Sequence, residues 1–180
     1  SGTVTVGGNF SATTGASNGV INVGSMAIDG TVALNTHGSG NATIVNDAGL
    51  SLAASTVGGA LSATATTGNI TDSGTLTITG ASTFITAADG SNIVLDSASN
   101  AFSNSVEMRA DGGGETFGNI TFVDSAAIDF ATSAGSNGDL FINAGTDGAV
   151  GGNLSVTATT GNITDTGALA ITGTTTLVTS

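Results

Sequence analysis

A thirty-residue stretch of this chain is written twice. Residues 57–86 read VGGALSATATTGNITDSGTLTITGASTFIT and residues 150–179 read VGGNLSVTATTGNITDTGALAITGTTTLVT, identical at 21 of 30 positions at an offset of 93. The nine differences are small or conservative, among them Ala60/Asn153, Ala63/Val156 and Phe84/Leu177. A repeat on this scale points to a stacked, quasi-one-dimensional architecture, in which each unit buries its apolar side against its neighbours.

A shorter period lies beneath the long one. Gly or Ser, then Asn, then a β-prone run recurs at Asn18, Asn41, Asn69, Asn92, Asn119 and Asn162, with Asp139 in the same frame. The successive steps are 23, 28, 23, 27, 20 and 23. The long offset of 93 then corresponds to about four turns of the short unit. Each unit holds about three short strands, as in LSATA, NITD and LTITG of residues 61–80, divided by Gly, Asn, Asp and Ser clusters that read as turns. Apolar residues alternate with period two, as in TLTIT (75–79), and no window carries the three-to-four spacing of a helix.

The expected fold is therefore all-β: a right-handed parallel β-helix of about seven or eight rungs of 20–28 residues, one solenoid over residues 1–180. Its core is a thin stack of aliphatics. Candidates are Leu50, Leu52, Leu76, Ile78, Phe102, Ile128, Phe130, Leu169 and Ile171 after the Asp turns, with Val20, Ile44, Ile70, Ile93, Ile120, Leu140 and Ile163 after the Asn turns. TTTLVTS stops where the earlier copy runs on into AADGSNIVLD, and no capping repeat is visible, so the expectation is an uncapped segment of a longer chain or fibre.

Two turn series have a physical rationale. The Asn ladder (Asn18, Asn41, Asn69, Asn92, Asn119, Asn162) either stacks its amides from rung to rung or serves left-handed Asx turns. The Asp series (Asp47, Asp72, Asp96, Asp124, Asp165) follows a few residues later. Stacked carboxylates repel, so these are expected to point outward or to cap backbone N–H groups.

Charge narrows the partners. Thirteen acidic residues face one basic residue, Arg109, for a formal net charge of −12. That sign opposes phosphate, so nucleic acid and anionic lipid are excluded as partners. No apolar run approaches the length of a membrane span, and membrane insertion is not expected. There is no cysteine to report a redox compartment. An acidic, hydroxyl-rich surface suits an extracellular setting.

The repeat GGNLSVTATTGNITDTGALAITGTTTL (151–177) resembles the shaft of filamentous-haemagglutinin-type proteins, the large exoproteins of two-partner secretion and related adhesins of Gram-negative bacteria. The likeness covers most of the chain and is best over 57–105 and 150–180. It implies a secreted or cell-surface shaft that supports attachment, aggregation or biofilm, with no chemistry of its own. The implied partners are neighbouring copies or further repeats stacked end to end, and host or microbial surface glycans.

Other function classes rest on few residues. A carbohydrate-active β-helix needs paired carboxylates, for which Asp124 with Asp129, or Glu107 with Glu115 beside Arg109, are the candidates. A polar loop interrupting the repeat explains residues 106–118 without catalysis. His37, the single histidine, stands in NTHGSG with no nucleophile-elbow context and reads as an exposed turn residue. Threonines in TATT (64–67), TLT (75–77) and TGTTT (172–176) raise ice binding, but IVLD (93–96) and ITFVD (120–124) interrupt the pattern. No cofactor or metal is expected. The Asp-Gly turns at 89–92, 111–115 and 147–153 offer two or three oxygen ligands each, enough only for a loosely held calcium.

Overall fold

Period-two sequences such as ATIVN and LSATA put one side chain in and the next out, and stacking such segments side by side closes a tube of parallel strands. The computed structural model describes residues 2–110, 117–130, 139–142, 152–165 and 171–180. In chain order the described strands are β1 (Val4–Val6), β2 (Phe10–Thr13), β3 (Ile21–Ile28), β4 (Thr31–Asn35), β5 (Ala42–Asn46), β6 (Leu50–Leu52), β7 (Ser55–Val57), β8 (Leu61–Ala65), β9 (Ile70–Asp72) and β10 (Leu76–Ile78). They continue with β11 (Ser82–Thr86), β12 (Ile93–Leu95), β13 (Ala101–Phe102), β14 (Val106–Arg109), β15 (Ile120–Asp124), β16 (Ile128–Phe130), β17 (Asp139–Ile142), β18 (Leu154–Ala158), β19 (Ile163–Asp165) and β20 (Thr175–Thr179). No helix occurs among the described residues.

The strands form a β-solenoid of about 7 turns, every pairing parallel. One sheet runs β1-β3-β5-β8-β11-β14-β17-β16-β19. The other runs β13-β10-β7-β4-β6-β9-β12-β15-β18-β20, with β2 on β4. Because β4 pairs with both β6 and β7, this second sheet folds into two walls, β6 to β20 and β7 to β13. Three walls thus enclose the core.

Register aligns like side chains along the axis. On the first wall Ile44, Ala63, Phe84 and Met108 stack inward; on the second, Leu50, Ile70, Ile93, Ile120 and Leu154 do so. Large residues alternate with small ones where the bore is narrow, as Ala63 lies between Ile44 and Phe84. Phe84, Phe102 and Phe122 converge from the three walls, with centroids 6.0 Å apart for the first pair and 5.2 Å for the second. A fully buried side chain of this size contributes roughly 1.5–3 kcal/mol by burial alone, which is how a chain with only seven Phe and no Trp or Tyr holds a core.

Three expectations need correction. Val20 is 62 % exposed and its neighbour Ile21 is buried, because Gly19 separates Asn18 from its strand and shifts the frame by one residue. With a period of two, such a slip turns the side chain to the other face. Coil length also exceeds the expected range in one place: the coil from Asn119 to Asn153, which brings Ile120 onto Leu154, advances the chain by 34. Finally, the offset of 93 is not a whole number of turns: Leu61 lies in the first sheet and its counterpart Leu154 in the second. Leu169 lies outside the described residues, and Leu140 is placed only through its backbone.

Candidate functional site

The corner that leads into the second wall carries a continuous side-chain ladder. The Oδ1 of Asn69 accepts from Asn92 N–H at 2.8 Å, that of Asn92 from Asn119 N–H at 2.7 Å, and that of Asn119 from Asn153 N–H at 2.8 Å. Asn153 closes the series by accepting from Thr174 N–H and Thr174 Oγ1, both at 2.9 Å. Backbone bonds run beside it, Ile70 N–H to Asn92 O at 3.0 Å, Ile93 N–H to Asn119 O at 3.0 Å and Ile120 N–H to Asn153 O at 2.9 Å. The bond is therefore side-chain carbonyl to main-chain amide, not the amide-to-amide stack. Asn9 repeats it toward Thr31 N–H at 2.9 Å.

The preceding glycines explain why the motif is Gly-Asn. A Cβ on Gly152 would collide with Gly118 O, and one on Gly173 would collide with Gly152 O. Backbone approaches backbone at these two positions, where glycine leaves room, while Ser91 holds the equivalent place before Asn92.

Of the six expected ladder members, Asn69, Asn92 and Asn119 stack on one another. Asn18 and Asn41 belong to the other corner and accept from Ser39 N–H and Ala60 N–H, respectively. Asn18 is the one non-glycine described with a left-handed backbone, at φ 61. Asn162 leads into β19 on the first sheet, its carbonyl accepting from Ile128 N–H, and is not part of the ladder. Its place is taken by Asn153, where the first repeat copy has Ala60.

The Asp series divides. Asp47, Asp96 and Asp165 are exposed. Asp72 caps the next coil, accepting from Asp96 N–H at 3.0 Å, Ser97 N–H at 3.3 Å and Asn100 Nδ2 at 2.6 Å. Asn100, fully buried, in turn accepts from Leu76 N–H at 2.9 Å. Asp124 points inward, 2 % exposed, and accepts from Phe102 N–H at 3.2 Å. Burial pushes its carboxyl above the usual range against the pull of the Phe102, Ser125 and Ala126 amides. On the first wall Asn46 fills the same strand-ending position: its Oδ1 accepts from Ile28 N–H at 2.8 Å, and its Nδ2 donates to Ile28 O at 3.1 Å and Gly49 O at 2.8 Å.

This parity bears on the catalytic pairs. Asp124 faces the core, whereas Asp129 lies between the buried Ile128 and Phe130 and bonds Thr164 Oγ1 at 2.6 Å, so the two carboxylates occupy opposite sides of their strands. Glu107 and Arg109 alternate with the buried Val106 and Met108 and so project outward from β14. Glu115 lies outside the described residues. His37 is exposed, its N–H donating to Thr14 Oγ1 at 2.9 Å. Among the described residues no group of three or more metal-ligating side chains gathers, and the turns at 111–115 and 147–151 fall outside them. A bulge in β3 between Val23 and Met26 opens a shallow cavity of about 210 Å³, lined by Thr3, Ser25, Val45, Asp47 and Thr66 among others.

Sequence reasoning missed Asn46, Asn100 and Asn153. The signal for the first was present in the comparison of ATIVN (42–46) with ITFVD (120–124), two strands that end alike on a polar residue. Asn153 was visible as a difference between the repeat copies.

A family model described as repeats of unknown function (DUF5649) matches residues 39–109 and 138–180. No curated protein and no solved structure matches the chain.

Proposed function

The chain belongs to the family of repeats of unknown function DUF5649, and from that premise we propose that it is a shaft segment of an extracellular filament or adhesin, displayed by a Gram-negative bacterium and devoid of chemistry of its own. The observation that carries this role is the unbroken corner ladder from Asn69 to Thr174, with backbone bonds beside it from coil to coil. Such a series resists extension and bending along the axis, because separating two coils breaks strand pairing and ladder together.

The surface is consistent with that role. Outward positions of the second wall are mostly hydroxyls, Ser51, Thr71, Thr121, Ser155 and Thr176, and the net charge of −12 keeps neighbouring rods apart. The resemblance to filamentous-haemagglutinin shafts supports attachment, aggregation or biofilm as the biological setting, with surface glycans and stacked repeats as partners.

A polysaccharide-cleaving β-helix is the competing class. The test compares the two directly: the purified chain is incubated with acidic and neutral polysaccharides while reducing ends are measured, and cells displaying or lacking the parent protein are scored for attachment. Attachment that follows display, without release of reducing ends, supports the shaft. Turnover that is lost in Asp124→Asn or Glu107→Gln would overturn it.

A further inference from the structure

From β5 to β14 the first wall runs in register, its outward side chains forming the column Val45, Thr64, Ile85, Arg109. Between β3 and β5 that regularity fails. Val23 pairs with Ile44 and Met26 with Asn46, so Gly24 and Ser25 together stand against Val45 alone. An extra residue of this kind re-aims side chains, and such bulges recur beside binding sites. Here it opens the cavity of about 210 Å³. The cavity is set within the wall, since β3, β5 and β8 each carry a described strand on both sides.

Its floor is apolar and its rim polar. Met26, 4 % exposed, and the half-buried Val45 form the floor. Around them stand the hydroxyls of Thr3 and Ser25, 3.4 Å apart, the hydroxyl of Thr66 and the carboxylate of Asp47. The main chain of Asp47 is pinned on both sides, its N–H donating to Met26 O at 2.8 Å and its carbonyl accepting from Thr67 Oγ1 at 2.8 Å. Its carboxylate takes no hydrogen bond from the described residues. Thr66 Oγ1 donates its proton to Asn46 O at 3.1 Å and so offers the cavity only lone pairs.

Acceptors therefore outnumber donors around this cavity, and no basic residue lines it. Arg109, the one basic residue of the chain, stands three strands farther along the Val45 column. A complementary ligand brings donors, positive charge and an apolar face. The volume suits a single sugar ring, being smaller than the roughly 300–1,000 Å³ of pockets for drug-sized ligands. A formal charge of −12 draws cations toward the surface and repels acidic sugars.

We propose that this cavity binds an amino sugar. Its ammonium group meets the Asp47 carboxylate, its hydroxyls meet Ser25, Thr3 and Thr66, and the C–H face of its ring lies over Val45 and Met26. The site deepens the attachment role proposed above by naming the sugar chemistry of the partner, and it rests on that role.

The chain holds two methionines, which serve as reporters. Met26 lines the cavity, whereas Met108 is fully buried beside Phe84. In protein labelled at the methionine methyls, glucosamine added below neutral pH should shift the Met26 resonance and leave Met108 in place, saturating in the millimolar range. Glucose and N-acetylglucosamine, which lack the charge, should bind about tenfold more weakly, as expected for loss of a charged hydrogen bond. Methylammonium, which lacks the ring, should also bind more weakly, and glucuronic acid should not shift Met26 at all. Asp47→Asn should weaken glucosamine about tenfold. Asp96→Asn, the same loss of charge at an exposed residue of another corner, should leave binding unchanged. A Met26 methyl that does not move, equal shifts by glucose or methylammonium, or equal losses in the two variants would overturn the site. Attachment of cells displaying the parent protein would then still leave the shaft standing. A saturable Met26 shift without attachment keeps the site and overturns the attachment role.

Discussion

The two copies of the long repeat, identical at 21 of 30 positions, occupy different walls. In the first copy, β8 and β11 lie in the first sheet and β9 in the second; in the second copy, β18 and β20 lie in the second sheet and β19 in the first. Local structure is nonetheless kept: Gly68 and Gly161, at equivalent positions, have φ of 88 and 87. One sequence therefore specifies a strand, a corner and the next strand without specifying which wall of the tube receives them. Each wall asks the same of a strand, an alternating face at the same spacing, so moving the repeat from one wall to another costs little.

What differs between the copies is what surrounds them, and that difference can be broken by substitution. The largest effect is expected at Phe84 and its counterpart Leu177. Phe84 is fully buried beside Ala63, Met108 and Phe102, and Phe84→Ala should cost about 3–5 kcal/mol in urea unfolding. Leu177→Ala, at a half-exposed position, should cost less than about 1 kcal/mol in dilute protein.

Next come the polar residues ending the strands beneath each copy. Asn46→Asp would set a carboxylate against the Ile28 and Gly49 carbonyls and should cost about 3 kcal/mol at neutral pH. Asp124→Asn should act in the opposite direction. Because burial raises the folded pKa of Asp124, its favourable contribution is complete below the ordinary carboxylate pKa and is lost as pH rises through the folded value. Stability of the native chain measured against pH should therefore gain on acidification from this group, and Asp124→Asn should flatten that slope while stabilising the fold at pH 7.

The corner glycines should bring the comparison back to equality. Gly59 and Gly152 are counterparts, and a Cβ on either would collide with a neighbouring oxygen, Asn41 Oδ1 in one case and Gly118 O in the other. Gly59→Ala and Gly152→Ala should each cost about 1–3 kcal/mol, and a large inequality in thermal unfolding would mean that the corners are not equivalent. A smaller effect tests the ladder: Asn153→Ala removes the acceptor for Thr174 and should cost about 0.5–1.5 kcal/mol. Ala60→Asn, the reverse change on the other corner, should be neutral or slightly stabilising by the same measurement. The smallest effect is at Ser82, whose buried hydroxyl has no hydrogen-bond partner among the described residues. Ser82→Ala should leave stability unchanged or raise it by about 1 kcal/mol.

Much of this architecture was legible before any coordinates. The repeat, the alternation in ATIVN and LSATA and the Gly-Asn punctuation pointed to strands, turns and stacking, and most expected core residues are buried, Ile44, Ile70, Ile93 and Ile120 among them. The candidate site was legible only in part. Asn69, Asn92 and Asn119 stand on one ladder, whereas Asn18, Asn41 and Asn162 share the local motif and stand at other corners. An Asn in a turn looks the same wherever the turn lies. Burial of Asp124 and Asn100 was hidden because their type suggests solvent, and only the N–H groups of neighbouring coils make the interior hospitable to them.

Strand character, turn chemistry and the tendency to stack were determined by the sequence alone, because they depend on residues within a few positions of one another. Which coil meets which, and on which wall, was decided by tertiary structure. Coils as short as the one from Asn41 to Ala60, a step of 19, and as long as the one from Asn119 to Asn153, a step of 34, follow one another along the chain. Only their sum, set by the corners and insertions between strands, determines where each strand arrives.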